Sequence, residues 1–150
     1  MKNYKRLFLL CVPLLLVFCI ALTGCSGRRS VTAEEFSAAC ADAGYTVVDD
    51  TSSFDASFLL TALTVEDEET NIGFFVFVAA DSAKTNYAQM LSSLKTGASG
   101  EKFVDSSEYN RFYYANDEGV TLLYRNGTTL LCASSTDKEK LNKLIDALGI

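Results

Sequence analysis

The sequence predicts an α+β domain, an antiparallel sheet with three helices packed mainly on one face. Three observations carry this. Amphipathic stretches near residues 33, 82 and 138 each follow a capping residue, strand-like runs follow one another through short turns, and the order is helix, strands, helix, meander, helix.

Thr32-Ala33-Glu34-Glu35 has the form of a capping box, with Thr32 as N-cap, Glu35 reaching back to it, and Val31 and Phe36 at the two staple positions. Phe36, Ala39, Cys40 and Ala43 then form one apolar stripe, and Gly44 supplies a left-handed stop. Residues 45–48 read as a short strand. Residues 57–65 and 72–79 are rich in β-branched and aromatic types and read as a hairpin, with 66–71 as an acidic loop. The run 72–80 is apolar at nearly every position, so its strand is expected to be central and covered on both faces. Asp81 is expected to cap a helix over 82–95, where Ala83, Tyr87, Met90, Leu91 and Leu94 recur at helical spacing. Residues 96–100 read as a flexible loop. Strand candidates follow at 102–105, 109–115, 120–125 and 128–134. Residues 116–119 and Asn126-Gly127 are the turns, the latter because both residues accept positive φ. Thr136-Asp137-Lys138-Glu139 repeats the capping-box pattern and opens a last helix, whose Leu141, Leu144, Ile145 and Leu148 face the core until Gly149.

The start of the chain carries an address. Lys2, Lys5 and Arg6 precede an apolar run over 7–20, and Leu22-Thr23-Gly24-Cys25 closes it. The sixteen residues 7–22 contain Pro13 and fall short of the roughly 20 that span a bilayer as a helix. Leu22-Thr23-Gly24-Cys25 resembles the lipobox of bacterial lipoprotein signal peptides. The resemblance implies cleavage between Gly24 and Cys25, a covalent diacylglycerol on the Cys25 thiol, palmitate among its acyl chains, and a place on the outer face of a bacterial cell membrane. An uncleaved anchor and ordinary secretion are the alternatives. The expected organisation is a signal peptide at 1–24, the lipidated cysteine with a polar tether at 25–30, and one domain over 31–150. Thr32-Ala33-Glu34-Glu35-Phe36, Gly44-Tyr45-Thr46-Val47-Val48-Asp49 and Asp81-Ser82-Ala83-Lys84 make that domain similar to small uncharacterised α+β lipoproteins of Gram-positive bacteria, a resemblance that implies no particular activity.

Without residues 1–24 the chain keeps 126 residues, ten basic and nineteen acidic, a formal charge of −9. Such a surface repels phosphate backbones, so no nucleic-acid partner is expected. It also opposes a domain lying flat on anionic lipid. Arg28 and Arg29 belong to a tether that is either solvated or resting on headgroups. Cys40 and Cys132 are the cysteines left to the domain, either a possible disulfide or two buried thiols. With no histidine in the chain, they make no zinc site.

Functional signals are sparse. The missing histidine removes Ser-His-Asp and Cys-His pairs, and neither phosphate-binding glycine motif is present. Glu66-Asp67-Glu68-Glu69 could hold Ca²⁺, but adjacent carboxylates splay and the calcium-loop order is missing, so a solvated turn is the better reading. Asp49, Asp50 and Asp105 could supply a carboxylate pair for hydrolysis, although spacing does not single them out. Tyr109, Arg111, Tyr113 and Arg125 form the candidate binding face, because aromatic residues with interleaved arginine dominate the energetics of interfaces. The leading expectation is a membrane-tethered, non-enzymatic binding or accessory module of the cell envelope, without cofactor or metal, whose partner is an envelope protein or a wall polymer. A small envelope hydrolase and a small-ligand carrier are the alternatives.

Overall fold

A computed structural model describes residues 30–94 and 101–150. The expected signal peptide, Cys25 and the loop at 96–100 lie outside the described residues. The elements run α1 (Ala33–Asp42), β1 (Val47–Asp49), a 3₁₀ turn (Thr51–Ser53), β2 (Leu59–Asp67), β3 (Thr70–Phe77), α2 (Ala80–Leu94), β4 (Lys102–Asp105), β5 (Tyr109–Ala115), β6 (Val120–Asn126), β7 (Thr129–Ser135) and α3 (Lys138–Leu148). The seven strands form one antiparallel sheet in the order β1-β2-β3-β7-β6-β5-β4. The fold class is therefore α+β.

The capping box of α1 is complete. Thr32 Oγ1 accepts from the Glu35 amide at 3.2 Å, and the Thr32 amide donates to Glu35 Oε2 at 3.1 Å. Two helix starts differ from the expectation. Asp81 sits inside the first turn of α2 rather than capping it. In α3 the cap is Asp137, not Thr136, and its carboxylate accepts from the Lys140 amide at 2.9 Å. The acidic loop is also tighter than expected: Asp67 pairs with Thr70 across a two-residue link, so the strands continue almost to the tip. In the β6–β7 hairpin Asn126 stays in the strand opposite Thr129, and only Gly127 takes positive φ, at 55°. A two-residue loop needs glycine at its first position when only that residue is left-handed.

Alternation along the strands divides the helices two to one. Leu63, Val65, Ile72, Phe74, Leu131 and Ala133 point to the face covered by α1 and α3, where they meet Phe36, Cys40, Leu141 and Leu144. Phe36 stacks on Phe74 with ring centroids 4.8 Å apart. On the other face α2 lays Ala83 and Tyr87 over Phe77, Phe112, Leu123 and Leu130. The strand β3 is central and contributes to both cores, Ile72 and Phe74 to one and Phe77 to the other, which is why its run is apolar throughout.

Candidate functional site

The four residues of the expected binding face do not share a face. In β5 the side chains of Tyr109, Arg111 and Tyr113 alternate with those of Asn110, Phe112 and Tyr114, and register pairs Arg111 with Tyr124 and Asn110 with Arg125. Residues paired directly across two strands lie on the same side of the sheet. Arg125 therefore belongs to the α2 side, where it is 2% exposed. Its Nε donates to Asn110 Oδ1 at 2.6 Å, and its two terminal nitrogens donate to the carbonyls of Gly127 and Ser107, each at 3.3 Å. Asn110 in turn donates to Asp105 Oδ1 at 2.5 Å and to the Ser106 carbonyl at 3.3 Å. Arg125 thus ties the β4–β5 turn to the β6–β7 hairpin and has no surface to offer a partner.

The other three stay together on the α1–α3 side. Tyr109 is half-buried beside Tyr124, with centroids 6.4 Å apart. Tyr113 is half-buried too, and its hydroxyl donates to Asn142 Oδ1 of α3 at 3.2 Å. The Arg111 guanidinium lies 5.1 Å from the Tyr113 ring centroid, and Lys102 Nζ, from β4, lies 5.8 Å from it. Two cations thus flank one tyrosine ring, each contact worth about 0.5–1 kcal/mol at an exposed site. Lys102 carries no signal of its own in the sequence, yet its pairing with Tyr113 follows once β4 is laid antiparallel to β5. The outcome is a cationic, aromatic ledge on a strongly acidic domain.

The candidate carboxylates are scattered. Asp49 accepts from the Thr51 amide at 2.9 Å, and Asp50 accepts from the Thr64 hydroxyl at 2.5 Å, both beside β1. Asp105 lies on β4 at the opposite edge, six strand spacings away, which is roughly 25–30 Å. It cannot form a catalytic pair with either of the others, since such pairs need separations of about 5–10 Å. In the acidic hairpin, Asp67 turns to Lys140, with Nζ and Oδ2 2.9 Å apart. This ion pair and the Glu69 amide hold its carboxyl below the usual range. Among the described residues no three acidic or cysteine side chains converge on a possible metal position. An open cleft of about 540 Å³ lies beyond the C-terminal end of α2, with Glu69 and Glu118 on its rim. Among the described residues it is lined by none of Asp49, Asp50 and Asp105.

The possible disulfide is removed by the sheet itself. Cys40 is buried on α1, on the two-helix side, whereas Cys132 faces α2 from β7 and contacts the Gly73 carbonyl at 3.6 Å. Both are free thiols on opposite faces. Burial pushes the Cys40 thiol up to about 12 and raises Cys132 as well. Burial, with Asp105 adding to it and Arg125 opposing, also pushes Tyr87 up to about 12. These shifts fix a pH dependence of stability. Below about pH 9 folded and unfolded chains hold the same protons on these groups. Above it the unfolded thiols ionise while the folded ones keep their protons, so stability falls as pH rises, by up to about tenfold in the folding equilibrium per pH unit for each group. Thermal melts from pH 8 to 11 should show the decline starting near pH 9 and steepening above 10 as Tyr87 joins, and Cys40→Ala should flatten its onset; a flat profile would contradict the buried thiols.

Among the described residues no helix is long and apolar enough to cross a membrane. No family model matches the chain, and no curated protein matches it. Among solved structures, a GTP binding regulator from Thermotoga Maritima aligns over 79% of this chain and 84% of its own, with 9% identity and a TM-score of 0.48. A likeness that slight carries no functional argument.

Proposed function

We propose that the chain is a lipid-tethered module on the outer face of a bacterial cell membrane, which binds an envelope protein or wall polymer through the ledge of Lys102, Tyr109, Arg111 and Tyr113. The single observation supporting a binding role is the clustering of two cations around the Tyr113 ring on a domain whose formal charge is otherwise strongly negative. Aromatic rings beside guanidinium groups are the side chains that most often carry interface energy. A carboxylate or phosphate on the partner complements the paired cations, because charge-assisted hydrogen bonds from guanidinium and ammonium groups are the strong ones. The tether supports the location: Leu22-Thr23-Gly24-Cys25 supplies the anchor and residues 26–30 the spacer.

The test is capture by crosslinking in intact envelopes, with the full chain as bait. Replacing Arg111 by alanine, alone and together with Lys102→Ala, should reduce the yield of a dominant partner about tenfold, the usual consequence of losing one charge-assisted hydrogen bond. Arg125→Lys, at the buried site, is the comparison that touches no ledge atom. Unchanged capture by the double variant would rule the ledge out.

A further inference from the structure

The described residues expose five large apolar side chains, and four of them, Phe54 at 47%, Phe58 at 46%, Leu60 at 57% and Val78 at 48%, lie on or beside the neighbouring strands β2 and β3, two against the α2-side rings Phe75 and Phe77 and two next in sequence to the α2-side residues Leu59 and Phe77. Their backbone and neighbouring rings are tied into the sheet. Phe58 packs edge-on against Phe77 at 5.4 Å and Phe54 against Phe75 at 6.5 Å. The Val78 amide donates to the Phe58 carbonyl at 3.1 Å, and Thr51 Oγ1 accepts from the Ala62 amide at 3.0 Å. Phe103, the fifth, is on β4 at the far edge of the sheet. Exposed apolar side chains carried on a hydrogen-bonded sheet end need little ordering before contact.

The course of the chain says what that contact is. The Phe77 amide donates to the Thr128 carbonyl at 2.9 Å, so Phe58, Val78 and the β6–β7 hairpin share one end of the sheet. Ser30, where the described chain begins, has its Oγ 3.5 Å from Thr129 Oγ1, at that same end. Cys25 is five residues upstream, and five residues reach at most about 18 Å even fully extended. A lipid on Cys25 therefore keeps this end within about 18 Å of the headgroups, a limit the tether sets on no other part of the sheet so directly. The acidic hairpin tip at Asp67 and Thr70 lies at the opposite end of β3, seven residue steps away, about 24 Å. With the Ser30 end toward the bilayer, the densest run of negative charge points away from it.

We infer that Phe54, Phe58, Leu60 and Val78 dip into the membrane that the lipid holds, fixing the domain end-on to the lipid surface. This deepens the proposed function and rests on its reading of Cys25 as lipidated. Apolar side chains at the headgroup boundary bind in proportion to the area they bury, with charge adding or subtracting, and the densest acidic run lies at the opposite hairpin tip. The ledge at Lys102, Arg111 and Tyr113 is near the other edge of the sheet, and this orientation leaves it open to the envelope.

The chain has no tryptophan, so Phe58→Trp introduces a unique reporter. The full-length variant, produced in a bacterium that lipidates its lipoproteins, is reconstituted into phosphatidylcholine vesicles with a minor share of phosphatidylglycerol and brominated acyl chains. Leu60→Trp is the second reporter, and Asp117→Trp, in the turn at the far end, is the comparison. Mass spectrometry of the N-terminal peptide and vesicle flotation report the anchor separately. The inference expects several-fold stronger bromine quenching and a blue-shifted emission at 58 and 60 than at 117. If Cys25 carries lipid and the protein floats, yet the three positions are quenched alike, the end-on contact is overturned and the anchor stands. The contact is equally overturned if positions 58 and 60 are shielded from aqueous iodide but not quenched by lipid, because a second copy or a protein then covers the patch. An unmodified Cys25 and a protein that stays out of the vesicle fraction overturn the lipoprotein reading and the inference together.

Discussion

Replacing Phe74 with alanine is expected to destabilise the fold by about 3–5 kcal/mol, the range for deleting a fully buried aromatic ring, and to lower Tm by about 10–20 °C in a domain of this length. Phe74 has no exposed surface, sits on the central strand β3, and stacks on Phe36 with centroids 4.8 Å apart and planes 15° from parallel. The ring therefore joins α1 to the sheet, and its loss leaves a cavity bounded on one side by a helix and on the other by a pleated strand. Neither wall collapses easily, since β3 is hydrogen-bonded to β2 and β7 on its two sides. The loss is a large share of the 5–15 kcal/mol that small domains possess. Phe36→Ala should cost a similar amount, and the double variant should fall short of the sum by about 0.5–1.5 kcal/mol, the coupling of an aromatic pair. Phe54→Ala, on the exposed patch, is the contrast and should change stability by less than about 1 kcal/mol. Urea unfolding followed by circular dichroism decides the matter: a Phe74→Ala loss below about 1 kcal/mol would mean that the stack is not formed.

The parts of this fold that are local are readable from the residues. Thr32 and Glu35 announce a helix start because the capping box is completed within four residues. The strands 102–105 and 109–115 need only their own composition and the turn between them. The stops at Gly44 and Gly149 need only a residue that tolerates φ of 79° and 68°. What is not readable depends on partners distant in sequence. The insertion of β7 between β3 and β6 brings Thr70 opposite Ser135, and no periodicity in either strand names the other. The stripe on α2 shows that the helix has a buried side, but not which face of the sheet it will cover. At the ends of elements the choice between neighbours is also closed to the sequence, as with Asp137 and Thr136, because both types cap helices well.

The candidate site is legible in part for the same reason. Alternation within one strand correctly puts Tyr109, Arg111 and Tyr113 on one side. Grouping Arg125 with them fails because its side depends on the register between β5 and β6, which the hairpin at 116–119 sets. An arginine directly before Asn126-Gly127 looks like a surface residue near a turn. Here the turn closes one residue later, and the guanidinium folds back over carbonyls of two adjoining turns. Lys102 does not stand out because a lone lysine on a short edge strand is ordinary; only its cross-strand partner Tyr113 makes it part of a cluster. Cys40 and Cys132 look equally coreward from the sequence, and both are, but into two cores with a sheet between them.

On the lipoprotein reading, Cys25→Ala is expected to abolish incorporation of labelled palmitate and to leave an uncleaved precursor longer by the 24 residues that precede Cys25. The thiol is the acceptor of the diacylglyceryl group and has no substitute in alanine, so the effect is a loss rather than a reduction. Its consequence for location follows from the strength of each anchor. Two acyl chains, at about 0.8 kcal/mol per buried CH₂, hold a protein stably on a bilayer, whereas one chain gives only marginal attachment. The retained leader offers sixteen residues, 7–22, interrupted by Pro13, against the roughly 20 of a secure span. Alkaline carbonate should therefore strip much of the Cys25→Ala protein from membranes while the lipidated chain stays. Cys19→Ala, inside the leader, should leave label and processing unchanged, which separates the role of the lipobox cysteine from the mere presence of a thiol. Persistent palmitate on Cys25→Ala would place the lipid elsewhere and remove the premise that the tether presents the Phe58 end of the sheet to the membrane. Loss of label with unchanged carbonate resistance would assign retention to the leader, and the domain would then hang from a longer, more permissive linker.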